Sequence, residues 1–168
     1  MKLIEAATYT DPKQVKWLAP VGAIVDGASI PRFAWSIIGG PYEGRYRNAS
    51  VFHDVACDAK DRPWQDVHEM FFNAMMASGV DTIKAKVMYA AVYHFGPRWS
   101  LPGQPTEERR LQERDFERLQ AEIERREKEQ PSILAKRKGG KKKSGGRDTT
   151  TVVGPMSLRE IERYEPTR

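Results

Sequence analysis

The sequence predicts an α+β fold: short N-terminal β-strands packed on a bundle of three helices, followed by a long charged helix and an extended C-terminal arm. Three features point there. All four tryptophans, all three histidines and the single cysteine fall in the first hundred of 168 residues. Apolar residues come in short runs up to Val25 but recur at helical spacing between Ala49 and His94. Beyond residue 100 the chain is dense in Glu, Arg and Lys and carries most of the formal net charge of +5. A globular domain over residues 1–100 and a charged extension over 101–168 are expected, since a chain of this length supports about one domain.

The N-terminal runs are Leu3-Ile4, Gln14 to Leu18 and Val21 to Val25, separated by Asp11-Pro12 and Pro20. Asp26-Gly27-Ala28-Ser29-Ile30-Pro31-Arg32 reads as a turn, with Ser29 suited to cap the next segment. Gly39-Gly40-Pro41-Tyr42-Glu43-Gly44 reads as a second loop. Three apolar stripes then appear at about 100° per residue. The first holds Ala49, Phe52, Ala56 and Cys57 with His53; the second, opening after Pro63, holds Trp64, Val67, Phe71, Phe72 and Met75 with His68. The third opens near Asp81-Thr82, holds Ile83, Val87, Ala90 and Ala91 with His94, and stops at Gly96-Pro97. Every histidine is thereby expected to point inward.

After a linker at residues 101–105, a helix is expected from Thr106 to Gln130, with Leu111, Phe116, Leu119 and Ile123 as its large apolar residues and Pro131 as its end. With so narrow a stripe, it needs a partner or stands in water. Gly139 to Gly146 is a basic linker by composition, Thr149 to Val153 fits a short strand, and Ser157-Leu158-Arg159-Glu160 fits a last helical turn.

No apolar run is long enough to span a membrane, and the N-terminus lacks the pattern of a secretory signal peptide. Cys57 has no second cysteine to pair with, which suits a reducing compartment. A reducing cytosol, or a particle assembled in one, is the expected setting. The basic excess is local, at Lys136 to Lys143; such a run is a solvated linker, a contact for an acidic protein face, or a binder of nucleic-acid phosphates. No aromatic residues lie within it to stack on bases.

The sharpest chemical signal is His53-Asp54 on a helix. Imidazole titrates nearest neutrality, so a helix-borne histidine in a cleft can act as general base toward water. Asp54 lies about 100° round the helix and is placed to bind a cation rather than to orient that ring. The competing reading is a histidine satisfied within the core.

Val25 to Arg32, Trp35, Gly39-Gly40, Ala49 to His53-Asp54, Phe71, and Met88 to Gly96 together resemble the bacteriophage and prophage family called domain of unknown function 1353, over about residues 1–100. The resemblance implies a phage origin and a common site of Asp26, Ser29, Arg32, His53 and Asp54, and it implies no reaction. A weaker similarity is to phospholipase A2, in which a glycine-rich calcium loop precedes a His-Asp helix. That similarity implies His53 as base, Ca²⁺ held by Asp54 and loop carbonyls, and a supporting group on the next helix, where this chain has His68 with Asp66 nearby. Cys57 stands where a tyrosine is expected.

Helix lengths also allow His53, His68 and His94 to meet at one level of the bundle, a three-histidine zinc-like arrangement. Ser29 with His53 lacks a nucleophile elbow, and Cys57, one turn from His53, is either a thiolate partner or an inert core residue. The leading expectation is a phage virion-associated or tail or neck assembly protein that docks on other phage structural proteins through residues 104–168 and carries a His-Asp hydrolase site at His53, Asp54, Asp26, Ser29 and His68. A free metal-assisted hydrolase using Ca²⁺ or Zn²⁺ and a purely structural module are the alternatives.

Overall fold

The computed structural model of the protein describes residues 1–25, 45–103, 111, 113–137 and 154–165. The chain divides into two compact units, Met1–Leu111 and Gln112–Arg168. The order of elements is β1 (Ala7–Thr10), β2 (Lys16–Ala19), α1 (Arg47–Ala59), α2 (Trp64–Ala77), α3 (Thr82–Phe95), α4 (Glu113–Arg137) and α5 (Leu158–Glu162). Strands at the N-terminus and helices after them make this an α+β protein.

β1 and β2 form an antiparallel hairpin in which Ala7 faces Ala19 and Thr10 faces Lys16. Asp11 organises the turn. Its backbone N–H donates to the Val15 carbonyl at 3.0 Å, while its carboxylate accepts from the Val15 N–H at 2.9 Å and from the Trp17 indole at 3.0 Å. Gln14 takes the left-handed conformation, φ 64°, that closes the loop. Side chains alternate along β2, so Trp17 and Ala19 are buried while Leu18 is exposed. The expected strand at Leu3-Ile4 is instead a single bridge: Lys2 pairs with Ile24, and the Leu3 N–H donates to the Ala23 carbonyl at 2.9 Å. The Thr-Tyr-Thr stretch before Asp11 forms β1, because the turn chemistry of Asp11 dictates which flanking residues pair.

α2 packs against both α1 and α3, and β2 packs against α1. α1 ends at Lys60 in a left-handed C-cap. Pro63 is the N-cap of α2, and Asp81 caps α3 by accepting from the N–H groups of Ile83 and Lys84 at 3.0 and 3.1 Å. The predicted stripes lie inside, with two exceptions: Phe72 and Ile83 are only half-buried. α3 is buried on every face from Ala85 to His94, a continuity that a single stripe does not anticipate. Aromatic contacts knit the unit: Trp64 meets Tyr93 at 5.0 Å between ring centroids, and Phe72 and Tyr93 each meet Tyr89.

The chain leaving α3 turns back over the bundle. Gly96 is required there, since a Cβ at that position would run into the Val92 carbonyl. Arg98 then lays its guanidinium over Trp64, 4.6 Å from the ring centroid, and donates to the Tyr93 carbonyl at 2.9 Å. Trp99 donates its indole N–H to the Arg62 carbonyl at 2.8 Å.

In the second unit, α4 runs from Glu113 and continues past Pro131 to Arg137, while residues 106–110 of the expected helix lie outside the described residues. Strong helix formers on both sides of the proline, from Glu127 to Gln130 and from Ile133 to Ala135, offset its missing N–H. Phe116, Leu119 and Ile123 are buried, and Arg126 continues their stripe. The C-terminal segment is anchored within its own unit: Arg126 donates to the Gly154 carbonyl at 2.7 Å and to Glu160 at 3.0 Å. Ser157 and Glu160 form a capping box at the start of α5, the helical turn expected there. The expected strand at Thr149 to Val153 and the Gly139 to Gly146 linker lie outside the described residues. Among the described residues no helix is long and apolar enough to cross a membrane.

Candidate functional site

α1 carries His53 and Cys57 four residues apart, one turn along the same face, and α2 carries His68 one turn after Trp64. Packing of α1 on α2 brings the three side chains together. The Nε2 of His53 lies 2.8 Å from the Nδ1 of His68, and the Sγ of Cys57 lies 3.7 Å from the Nε2 of His53 and 4.0 Å from its Nδ1. Phe71 covers the His53 ring at 4.6 Å and Trp64 flanks the His68 ring at 5.4 Å between centroids. Both histidines are 0% exposed and Cys57 is buried.

The remaining nitrogen of His68, Nε2, lies 3.2 Å from the Pro97 carbonyl oxygen. A carbonyl can only accept, so this nitrogen carries the hydrogen. Burial lowers the pKa of His53 to about 3. Burial, and after it the neighbouring His53, holds His68 well below the ordinary imidazole value. Both rings are therefore neutral near pH 7. A neutral His68 protonated at Nε2 presents a lone pair at Nδ1, so His53 donates from its Nε2. That leaves the lone pair of His53 on Nδ1, with the Cys57 sulfur beside the ring and nearer Nε2 than Nδ1. The polarity of the network thus runs from His53 through His68 to a backbone carbonyl that Gly96 and Pro97 place.

Of the expected site residues, His53 and His68 meet directly. Asp54 is buried on α1 and does not belong to the cluster of possible metal donors, which among the described residues consists of His53, Cys57 and His68, their ligand atoms all within 4.8 Å of one another. Asp26 and Ser29, with Arg32 and the glycine loop of the calcium-site comparison, lie outside the described residues. His94 is buried against Tyr93 and lies outside the cluster; the expected meeting of three histidines is a meeting of two, with Cys57 in the third place. His53 and Cys57 share a face of one helix, whereas the C-terminal end of α3 reaches the pair through the Pro97 carbonyl and not through His94. Asp66 is exposed and lines a surface groove of about 150 Å³ with Asp11, Lys13, Arg62 and Glu69, and the lining includes none of the three clustered residues.

For Cys57 the visible signal in the sequence is the His-x-x-x-Cys spacing, which by itself suggests no more than a thiolate pair or a small core residue. The Pro97 carbonyl has no side-chain signal at all, since any residue supplies that oxygen.

Two curated relatives are similar to part of the chain. The uncharacterized protein y4jT of Sinorhizobium fredii (strain NBRC 101917 / NGR234) is 52% identical over 94 residues, covering 56% of this chain and 28% of that protein. The uncharacterized protein y4iH of the same strain is 42% identical over 98 residues, covering 57% of this chain and 41% of that protein. The chain thus spans well under half the length of these two relatives. No solved structure matches it. A family match covers residues 1–92, which include His53, Cys57 and His68 and end before His94, so the chain belongs to the family described as protein of unknown function (DUF1353).

Proposed function

We propose that the chain is an assembly or virion-associated accessory protein in which the buried histidine pair ties helices together rather than activating water. The observation that supports this reading is the enclosure of His53, 0% exposed and engaged at Nε2 by His68. A general base must bring a lone pair within hydrogen-bond reach of the proton it removes. The lone pair left to His53, on Nδ1, belongs to a ring wholly enclosed in the core. The same two contacts serve a structural role directly, because each buried N–H that finds an acceptor avoids a desolvation cost of about 1–3 kcal/mol.

Docking is assigned to residues 104–168. On α4, Arg125 is paired with Glu122 and Glu129, and Lys128 with Glu124, so these cations are already neutralised locally. The attraction for a partner then falls on the basic run from Lys136 to Lys143, directed at an acidic face of another phage structural protein.

Two measurements on the full chain test the reading. Wild type and His53→Gln are assayed on short-chain esters and phospholipid vesicles with and without Ca²⁺; neither is expected to exceed the uncatalysed rate. Turnover in wild type that disappears in a folded His53→Gln variant overturns the architectural role. Charge reversal at Lys141, Lys142 and Lys143 is expected to abolish salt-sensitive association with particles, whereas loss of DNA binding alone would reassign the run to nucleic acid.

A further inference from the structure

We infer that His53, Cys57 and His68 form a binding site for one soft closed-shell transition-metal ion, Zn²⁺ or Cu⁺, that joins α1 to α2. The inference goes beyond the architectural reading, which stands with or without the ion. It begins with donor chemistry: two imidazoles and a thiol are the ligand types that such ions prefer over carboxylates and carbonyls. The three donor atoms come from two helices and all lie within 4.8 Å of one another in a buried pocket of the core.

The distances fit. Tetrahedral bonds of usual length to one sulfur and one nitrogen set those two donors ~3.5 Å apart, and Cys57 Sγ lies 3.7 Å from His53 Nε2. Two nitrogen ligands sit ~3.3 Å apart on the same basis, and His53 Nε2 and His68 Nδ1 are at 2.8 Å. An ion between them asks the two rings to part by about half an ångström, and asks the Cys57–His68 pair, within 4.8 Å, to settle toward ~3.5 Å by side-chain rotation.

The outer contact is also in place. A metal-bound histidine usually donates its other ring N–H to a carbonyl or carboxylate, which fixes the tautomer and the ring orientation. His68 does so to Pro97 at 3.2 Å, leaving Nδ1 as the free lone pair. Binding replaces two hydrogens of the metal-free network. The thiol proton of Cys57 leaves to solvent, and the proton on Nε2 of His53 is exchanged for one on Nδ1, so one proton is released per ion.

Charge separates the two ions. With one thiolate, Cu⁺ gives a neutral three-coordinate centre suited to apolar surroundings. Zn²⁺ leaves one positive charge and a fourth position for a small ligand.

The full chain is produced in separate zinc-supplemented and copper-supplemented cultures, purified, and its metal content measured by mass spectrometry. About one equivalent of one of these metals per chain is expected, lost in Cys57→Ser and His68→Asn and kept in the exposed control Asp66→Asn. Should those two variants fail to fold, Co²⁺ added to metal-free wild type decides the matter through a thiolate-to-cobalt absorption band at one equivalent. Folded wild type that carries no stoichiometric metal and gives no such band overturns the site, as does full metal retention in Cys57→Ser.

Discussion

The His53 Nε2–H points at the His68 Nδ1 at 2.8 Å, and His68 donates its own Nε2–H to the Pro97 carbonyl, so two helices and the turn after a third share one line of hydrogen bonds. In the metal-free protein each imidazole is worth keeping only while the other is present. Replacing His68 by Leu strands the buried N–H of His53, at a cost of about 1–3 kcal/mol. The double replacement His53→Phe with His68→Leu removes both polar groups and is expected to cost less than the sum of the single changes. Chemical denaturation in the presence of a chelator measures all three; strict additivity would show that the two rings do not depend on one another.

Gly96 controls the acceptor end of that line. A methyl group at this position meets the Val92 carbonyl, so the backbone must shift and carry the adjoining Pro97 with it. Gly96→Ala is expected to destabilise the first unit by about 1–3 kcal/mol, in the range of other steric overpacking. It should also weaken the His68 contact, visible as a shift of the His68 ring signals in NMR. Unchanged signals together with unchanged stability would mean that the turn has room to spare.

Asp11 does for the hairpin what Gly96 does for the bundle. Its carboxylate receives the Val15 N–H and the buried Trp17 indole together. Asp11→Ala leaves the indole without its acceptor and the turn without its closing bond, with an expected loss of about 1–3 kcal/mol. Asp11→Asn keeps one acceptor oxygen and should fall between the two. Urea melts followed by tryptophan fluorescence check the order, which would be refuted by an Asn variant less stable than the Ala variant.

The part of the fold legible in the sequence rests on periodicity. The stripes containing His53 and His68, the Gly96-Pro97 stop and the Ser157 helix start all depend on residue type at fixed offsets, and local rules are enough for such features. The pairing of His53 with His68 needed only one further fact, that consecutive helices pack on each other. Three features were hidden because no apolar run or stripe of their own carries them. β1 is defined by the Asp11 turn and not by its own apolar content. The full burial of α3 depends on covering from several sides. Cys57 displaces His94 because the rotation of α3 about its axis cannot be read from its own stripe. Pro131 shows the reverse failure, a strong local stop overridden by the helix formers around it.

The clasp between α4 and α5 gives the second unit its own acid response. Glu160 accepts from the Ser157 backbone N–H at 2.8 Å, from the Ser157 hydroxyl at 2.7 Å and from Arg126 at 3.0 Å. These contacts, with Ser157 the larger contributor, lower its pKa from 4.5 to about 2. Because the folded value lies below the unfolded one, the clasp is at full strength above pH 4.5 and weakens as the pH falls toward about 2. The side chain of Glu160 is about half exposed, so salt is expected to reduce the Arg126 share and leave the capping box in place. Hydrogen exchange of the backbone between Ser157 and Arg163 reports the clasp directly. Protection in wild type should decline through this acid range. In Glu160→Gln it should be lower at neutral pH and nearly flat below pH 4.5, since no carboxylate remains there to titrate. Arg126→Met keeps the capping box and loses the tie to Gly154, so its titration should shift upward only slightly while protection falls by an amount matching about 1.5–3 kcal/mol for the charged hydrogen bonds lost. Identical acid profiles in wild type and Glu160→Gln would show that α5 is held by the burial of Met156 and Ile161 alone.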